Sequence, residues 1–330
     1  MTAQEAGQEY GEISYWLQSS GDDLTPRHSL PHSIDVDVAI LGAGFTGLWT
    51  AYYLRRTAPS LSVAVVEAEI AGFGASGRNG AWCTSEFPLG HALLAKRYGV
   101  EATRRLQLAL FDTVDEVGRV VQAEGIDAQY TRGGELLVAR GPHHLPAIRA
   151  GYEELVSMGL GEYYRLLSAA ETTERIRIAG AIGGLYGPHT AVVHPGRLVR
   201  GLARTVERFG GTIYERTPVT RVRPGARPRF ETPHGEVRAK TLVLAGEAYL
   251  SRLSGWHRRL VPLYSLIVLT EPLTDEQWAE IGWEHREAVA SPRYTVDYLS
   301  KTADGRILFG GRGAPYHFGS DIQRVYDRHG

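Results

Sequence analysis

Val36-Asp37-Val38-Ala39-Ile40-Leu41-Gly42-Ala43-Gly44-Phe45-Thr46-Gly47 decides the fold. The first six residues carry apolar side chains on both faces, as a buried parallel strand requires. A G-x-G-x-x-G run follows, and helical periodicity takes over from Leu48 to Arg56. Leu61 to Glu67 is a second buried strand, so the stretch forms one strand–helix–strand unit. Glu67 lies twenty residues beyond Gly47. This is the full context of a dinucleotide-binding fingerprint. Gly42 permits the tight turn, Gly44 lets a pyrophosphate approach the backbone, and Gly47 lets helix and strand pack closely. Ala43, Phe45 and Thr46 complete the loop, and the helix N-terminus offers free N–H groups to phosphate. Glu67, followed by Ala68, can accept hydrogen bonds from both ribose hydroxyls, and its carboxylate disfavours a 2′-phosphate.

The fingerprint alone leaves NAD and FAD both open. A second glycine-dense loop follows at once: Phe73-Gly74-Ala75-Ser76-Gly77-Arg78-Asn79-Gly80-Ala81. It offers backbone N–H groups, a hydroxyl and a guanidinium to a diphosphate and a ring system. A longer cofactor than NAD suits it.

These stretches resemble the D-amino-acid oxidase, glycine oxidase and sarcosine oxidase superfamily of FAD-dependent oxidoreductases, and most of all its gamma-glutamylputrescine oxidase-like branch. The similarity rests on Ser14-Tyr15-Trp16, Asp37 to Leu48 and Gly72 to Gly80. It continues through His194-Pro195-Gly196-Arg197-Leu198, Glu215 to Val219, Leu242 to Leu250, and Asp304 to Gly311. The resemblance implies an α/β fold: an FAD-binding Rossmann-like lobe of glutathione-reductase type, with an inserted α+β substrate lobe containing an antiparallel sheet. It places a lead-in at 1–35, cofactor-lobe segments at 36–90 and 196–250, and substrate-lobe segments at 91–195 and 251–330. It also implies that Gly42, Gly44 and Gly47 bind the FAD pyrophosphate and Glu67 the adenosine ribose. Ala75 to Gly80 then line the pyrophosphate and flavin. Val219 meets adenine through its backbone, and Ala245 and Gly246 close over the cofactor.

The implied activity is oxidation of a C–N bond in a small amine or amino acid. A hydride equivalent passes to flavin N5, the imine is hydrolysed, and oxygen or another acceptor takes the electrons. No residue is assigned as a catalytic base. Tyr298 and Thr302 fall on the stretch that faces substrate in the family. Amino-acid oxidases of this group place an Arg near Thr302 to hold a carboxylate; a threonine cannot make that bidentate contact, which favours an amine, unless Arg293 or an Arg in the missing final segment replaces it. The family pattern continues with a further strand and glycine-rich helix start. Here Gly311-Arg312-Gly313 is followed only by the run ending Asp327-Arg328-His329-Gly330. The expectation is a truncated chain lacking the final cofactor-lobe segment, with flavin binding and turnover dependent on it. Two rival readings are an NAD-linked dehydrogenase and a non-catalytic fragment or subunit that needs a partner. A third is a flavin domain acting on RNA-borne amines.

Composition narrows these choices. The chain has 330 residues, enough for about two domains. Lys and Arg number 36 against 37 Asp and Glu, so no net field draws it to nucleic acid or an anionic membrane. Gly is abundant, at 39 residues, as a chain with several tight turns and close approaches needs. Cys83 is the only cysteine, which excludes an intrachain disulfide and a cysteine metal cluster and fits a reducing compartment. The first 26 residues hold no Lys or Arg, and no apolar run is long enough to span a bilayer. The expected location is cytoplasmic, with no membrane or nucleic-acid partner; oligomeric state is open. His143-His144 lacks metal-site context, and His189 and His194 are read as structural.

Overall fold

The computed structural model describes residues 9–263, 265–293 and 297–312. Gly313 and the chain end at 327–330 lie outside the described residues. The chain divides into two compact units, each drawn from three separate stretches.

Unit 1 comprises residues 1–79, 124–128 and 194–263. Its six-stranded sheet has the order β8-β2-β1-β11-β10-β9. At its centre β1 (Ile34–Leu41) runs parallel to β2 (Val63–Val66) and to β11 (Gly235–Leu244). β8 (Thr212–Tyr214) extends the parallel half beside β2. On the other side β10 (Arg229–Thr232) turns back against β11 and pairs β9 (Arg221–Arg223) antiparallel. β11 is therefore longer than the apolar stretch 241–245 suggests, because its polar first half belongs to the hairpin with β10.

Both faces of β1 are covered. Ala39 joins Leu30, Val66, Phe230 and Val237 in one apolar cluster. On the opposite face Ile40 approaches Gly47 in α2 (Phe45–Thr57). The helix Pro195–Arg208 is buried along Leu198, Val199, Leu202, Ala203 and Val206, an i/i+4 pattern that presents a wide apolar stripe. His194 caps this helix, its Nδ1 accepting from the Arg197 N–H. Order begins before Val36: α1 (Tyr15–Gln18) buries Trp16 and Leu17, and Leu24 and Leu30 are buried further on. The lead-in is thus part of the unit's core; its few apolar residues have no periodicity of their own and are buried by tertiary contact alone.

Unit 2 comprises residues 80–123, 129–193 and 264–330. Its seven-stranded sheet has the order β12-β15-β14-β13-β4-β6-β5. The strands are β4 (Glu135–Ala139), β5 (Arg165–Ser168), β6 (Gly183–Gly187), β12 (Ser265–Leu269), β13 (Ala288–Ala290), β14 (Asp297–Lys301) and β15 (Ile307–Arg312). Pairing is antiparallel except between β13 and β4. Leu136, Val138, Val289 and Leu299 face one side, where Trp283 and Ile176 pack on them. Glu135, Leu137 and Tyr298 alternate to the other side. A two-stranded ribbon joins β3 (Trp82–Thr84) to β7 (Thr190–Val192). The apolar periodicity over 90–124 predicts one helix, but the structure has two, α3 (His91–Tyr98) and α4 (Val100–Ala123). Gly99 separates them at φ +88°, a left-handed conformation that no helix can carry through.

Glu135 is held at the ribbon, where the Thr190 hydroxyl donates to its Oε2 at 3.3 Å. Burial first, and the nearby Glu86 carboxylate second, push its carboxyl well above the usual range.

Two predictions follow from these contacts. A methyl group on Gly47 would lie 2.0 Å from the Gly42 carbonyl oxygen. Gly47→Ala should therefore cost about 3 kcal/mol in urea unfolding, near the upper end for overpacking; an unchanged midpoint would refute the close approach. For Glu135, a raised folded pKa means that its contribution to stability is present at low pH and lost as pH rises above the unfolded value. Glu135→Gln should melt roughly 2 °C above wild type at alkaline pH, with the gap closing near pH 4. A gap that stays constant with pH would mean that Glu135 does not titrate abnormally.

Candidate functional site

The fingerprint loop sits where three strand ends converge in unit 1. Gly42 adopts φ +102°, and its N–H donates to the Val66 carbonyl at 2.9 Å. A Cβ there would lie 2.5 Å from the Ala245 carbonyl oxygen, so the end of β11 presses directly on the turn. Ala245 in turn donates its N–H to the Leu41 carbonyl at 2.8 Å. Gly246 is as tightly placed, with Leu41 and Leu250 carbons within 2.8 Å of where its Cβ would be. Gly44 is the N-cap of α2 and supplies no side chain to cap it.

Glu67 follows β2 and reaches back to the loop. Its Oε2 accepts from the Ala43 N–H at 2.8 Å and its Oε1 from the Glu69 N–H at 3.0 Å. Burial raises its pKa, while these two amides act in the lowering direction. Ala68, between Glu67 and Glu69, is exposed. The Thr217 N–H donates to the Glu67 carbonyl at 2.8 Å, which brings the 217–219 turn to the same place. Val219 packs its side chain on the sheet cluster of Phe230 and Val237.

The second loop repeats the construction of the first, a relation visible in the residues Gly72-Phe73-Gly74-Ala75-Ser76-Gly77 once the pattern is sought from Gly72. Gly72 stands at φ +86°. A Cβ on Gly77 would fall 2.2 Å from the Gly72 carbonyl oxygen. Gly74 is the extended N-cap of a short 3₁₀ turn, Ala75–Gly77, as Gly44 is of α2. The two loops are latched together. The Gly72 N–H donates to the Ala43 carbonyl at 3.1 Å, and the Phe45 N–H donates to Ser76 Oγ at 2.9 Å. Ser76 Oγ also lies 2.9 Å from where a Gly44 Cβ would be.

Arg78 ends this loop. Its Nε donates to the Phe73 carbonyl at 2.7 Å, and its guanidinium carbon lies 4.5 Å from the centre of the Phe73 ring. Its Nη2 is buried and has no hydrogen-bond partner among the described residues. Burial lowers its pKa. The Asn79 amide donates to the Ala75 and Ser76 carbonyls and closes the turn. A buried guanidinium with an unused donor suits an anion, and so does a helix N-terminus whose N-cap is a glycine. The residues present therefore suit the anionic centre of a dinucleotide. Tyr249, not singled out by the sequence, packs on Phe73 with ring centroids 6.4 Å apart and sits against Gly74. No motif marks it, because only the tertiary fold brings it to the loop.

In unit 2, Gly80 and Gly310 flank the Tyr298 ring. A Cβ on either would come within 2.2 Å of a ring carbon. The ring meets Trp82 edge-on at 5.7 Å, and the hydroxyl pairs with Ser265 Oγ at 3.1 Å. Trp82 Nε1 donates to Ser300 Oγ, which donates to the Gly80 carbonyl. Tyr298 is therefore fixed in a slot and half-exposed. Thr302 has a different task from the one expected of it. It is buried, donates to Asp304 at 2.6 Å and accepts from the Arg306 N–H at 2.8 Å, so its hydroxyl closes the β14–β15 turn. Arg293 is exposed and pairs with Asp297 at 3.7 Å.

The other polar candidates are structural. His189 stacks on Phe111 at 3.8 Å, and His144 Nδ1 accepts from the Arg140 N–H. Burial pushes the Cys83 thiol up to about 11, so little thiolate exists near neutrality. Among the described residues there is no cluster of metal-ligating side chains, and no helix is long and apolar enough to cross a membrane.

Comparison with known proteins agrees with this geometry. The chain is 30% identical over 303 residues to gamma-glutamylputrescine oxidoreductase of Escherichia coli K12, covering 90% of this chain and 69% of that protein. Its fold is similar to glycine oxidase from Geobacillus kaustophilus, with a TM-score of 0.64, 22% identity, and coverage of 88% of this chain and 74% of that one. It is also similar to L-proline dehydrogenase from P. horikoshii, with a TM-score of 0.66, 18% identity, and coverage of 90% and 73%. Residues 37–328 match the profile of the DAO family, described as FAD dependent oxidoreductase. With two latched glycine loops, a carboxylate at the end of β2 and a match over most of its length, the chain belongs to the DAO family of FAD-dependent oxidoreductases.

Proposed function

We propose that this protein oxidises the C–N bond of a small amine or amino acid, with FAD held across the two glycine loops of unit 1. The observation that carries this reading is the latch from the Phe45 N–H to Ser76 Oγ, which sets the start of α2 against the second glycine loop, with a buried, unused Arg78 Nη2 at that loop's end. A pyrophosphate across the loops would give that guanidinium an anion, and a buried donor costs free energy when it is left without one or without water. In this reading unit 1 is the cofactor lobe and unit 2 the substrate lobe.

The roles follow from the chemistry of each group. Gly44 keeps the approach to the α2 amides open. Ser76, now accepting from Phe45, turns its hydroxyl proton toward a phosphate oxygen. Glu67 has lone pairs left for the ribose hydroxyls after serving Ala43 and Glu69. The backbone of Val219 would meet an adenine edge, and Ala245 and Gly246 would close over the cofactor from the end of β11. When bound, FAD accepts a hydride equivalent from the carbon next to nitrogen, and water then hydrolyses the imine. Tyr298 presents a rigid ring to the substrate side, and its fixed slot removes the entropy cost of ordering it on binding. With Thr302 committed to its turn, no side chain at that position clamps a carboxylate, which favours an amine substrate.

Two tests address this proposal. Purified chain should carry flavin absorbance that acid releases as FAD, and Gly44→Val should lose it at least tenfold, because the valine enters the pyrophosphate's path. Stoichiometric FAD in that variant would displace the cofactor from this loop. Anaerobic mixing should bleach the flavin bands with an amine or amino acid. Bleaching by 2-hydroxy acids alone would refute C–N oxidation.

A further inference from the structure

Residues 10–30 of unit 1 grip the second glycine loop at both ends. At its far end the Ser14 hydroxyl donates to the Gly77 carbonyl at 2.6 Å, and Trp16 Nε1 donates to the Asn79 carbonyl at 2.8 Å. Leu17 fills the space beside Gly77. Trp16 is buried, with its ring edge-on to His194 at 4.9 Å. At the near end Tyr10 donates to Glu69 Oε2 at 2.6 Å.

Ala71, the residue before Gly72, is held from both sides. Its N–H donates to Glu215 Oε1 at 2.8 Å, and its carbonyl accepts from Arg200 Nη1 at 3.4 Å. Glu215 has no exposure to solvent and also accepts from the Arg27 backbone N–H at 2.7 Å and from Arg27 Nη1 at 2.8 Å. Arg200 pairs with Asp22 at 3.0 Å and donates to the Asp23 carbonyl at 2.6 Å. The same N-terminal segment thus bonds the far end of the loop directly and braces the near end through Glu215 and Arg200. The loop itself is short of regular structure, with only a three-residue turn between Gly74 and Arg78.

We propose that residues 10–30, together with the Arg200–Glu215 pair that they hold, act as a clamp that keeps the second glycine loop in its cofactor-binding shape, with Trp16 and Arg200 as positioning residues. This rests on the reading that Gly74 to Gly80 line FAD. Neither residue is placed among the groups that touch the cofactor. Both act through backbone carbonyls of the loop, which a ligand cannot replace, so the loop's shape is settled before FAD arrives. Pre-ordering of this kind raises affinity by removing the cost of ordering on binding.

The test uses the full chain with FAD removed. Trp16→Phe keeps a ring in the buried site but deletes the donor to Asn79; Arg200→Met keeps the stem but releases Ala71 and Asp22. Hydrogen exchange of a peptide spanning residues 70–81 should quicken at least tenfold in each variant, with the β1 and β11 peptides unchanged. FAD titrated by fluorescence quenching should bind about tenfold more weakly. Unchanged exchange in the loop would overturn the clamp. Faster exchange with unchanged FAD affinity, or equal acceleration throughout unit 1, would leave only a general structural role and overturn it too. Gly74→Val separates the underlying reading: its Cβ meets only Tyr249, at 3.3 Å, so the fold should accommodate the valine. Wild-type FAD affinity in Gly74→Val, or no FAD binding by the wild-type chain, would remove the loop from the cofactor site and the proposal with it. Loss in Gly74→Val with normal Trp16→Phe and Arg200→Met would sink the clamp alone.

Discussion

The approach of Gly47 to the Gly42 carbonyl is the constraint on which unit 1 depends. It brings the start of α2 against the turn after β1, so that the first helical amides converge on one point. Any side chain at Gly47 forces helix and strand apart and spreads those amides. The same carbonyl-to-glycine approach recurs between Gly72 and Gly77. One backbone device, used twice, gives two glycine loops side by side, and the Phe45–Ser76 and Ala43–Gly72 hydrogen bonds keep them in register.

Around this frame the unit spends buried charge on position. Glu215 and Arg200 lie in the interior, where an unpaired charge is costly. Each meets several partners, and most of those partners belong to the lead-in or to the loop. Replacing them with apolar residues of equal volume could preserve the fold while loosening the loop, since apolar packing has no direction. Arg78 is the contrasting case: a cation stacked on Phe73 and left with a spare donor.

Much of this was legible in the residues. The run from Val36 to Gly47, with Glu67 at its distance, identifies the parallel core because periodicity, glycine and carboxylate must coincide there. Gly74 to Gly80 could be read as a second loop for the same reason. The lead-in could not, because Ser14, Trp16 and Arg27 gain their meaning from partners far along the chain. Tyr249 escaped for the same reason. The turn closed by Thr302 did not show in the alignment to a substrate-facing strand, because it depends on Asp304 two residues on and Arg306 four residues on. The single helix expected over 90–124 fails at Gly99, where periodicity on both sides conceals a left-handed residue.

The pairing of β1 with β11 also bears on how the protein is made. Ile34 faces Val237, and Leu41 faces Leu244. The central strand therefore waits for a partner about 200 residues later, or roughly 10–40 s at ordinary rates of synthesis. During that time one edge of an apolar strand has no neighbour from its own sheet, a template for pairing with other chains. Nascent protein is thus exposed to aggregation until most of it has left the ribosome. Slower growth temperature or a holdase that covers Val38 to Leu41 would raise the yield of soluble protein without changing the stability of the finished fold.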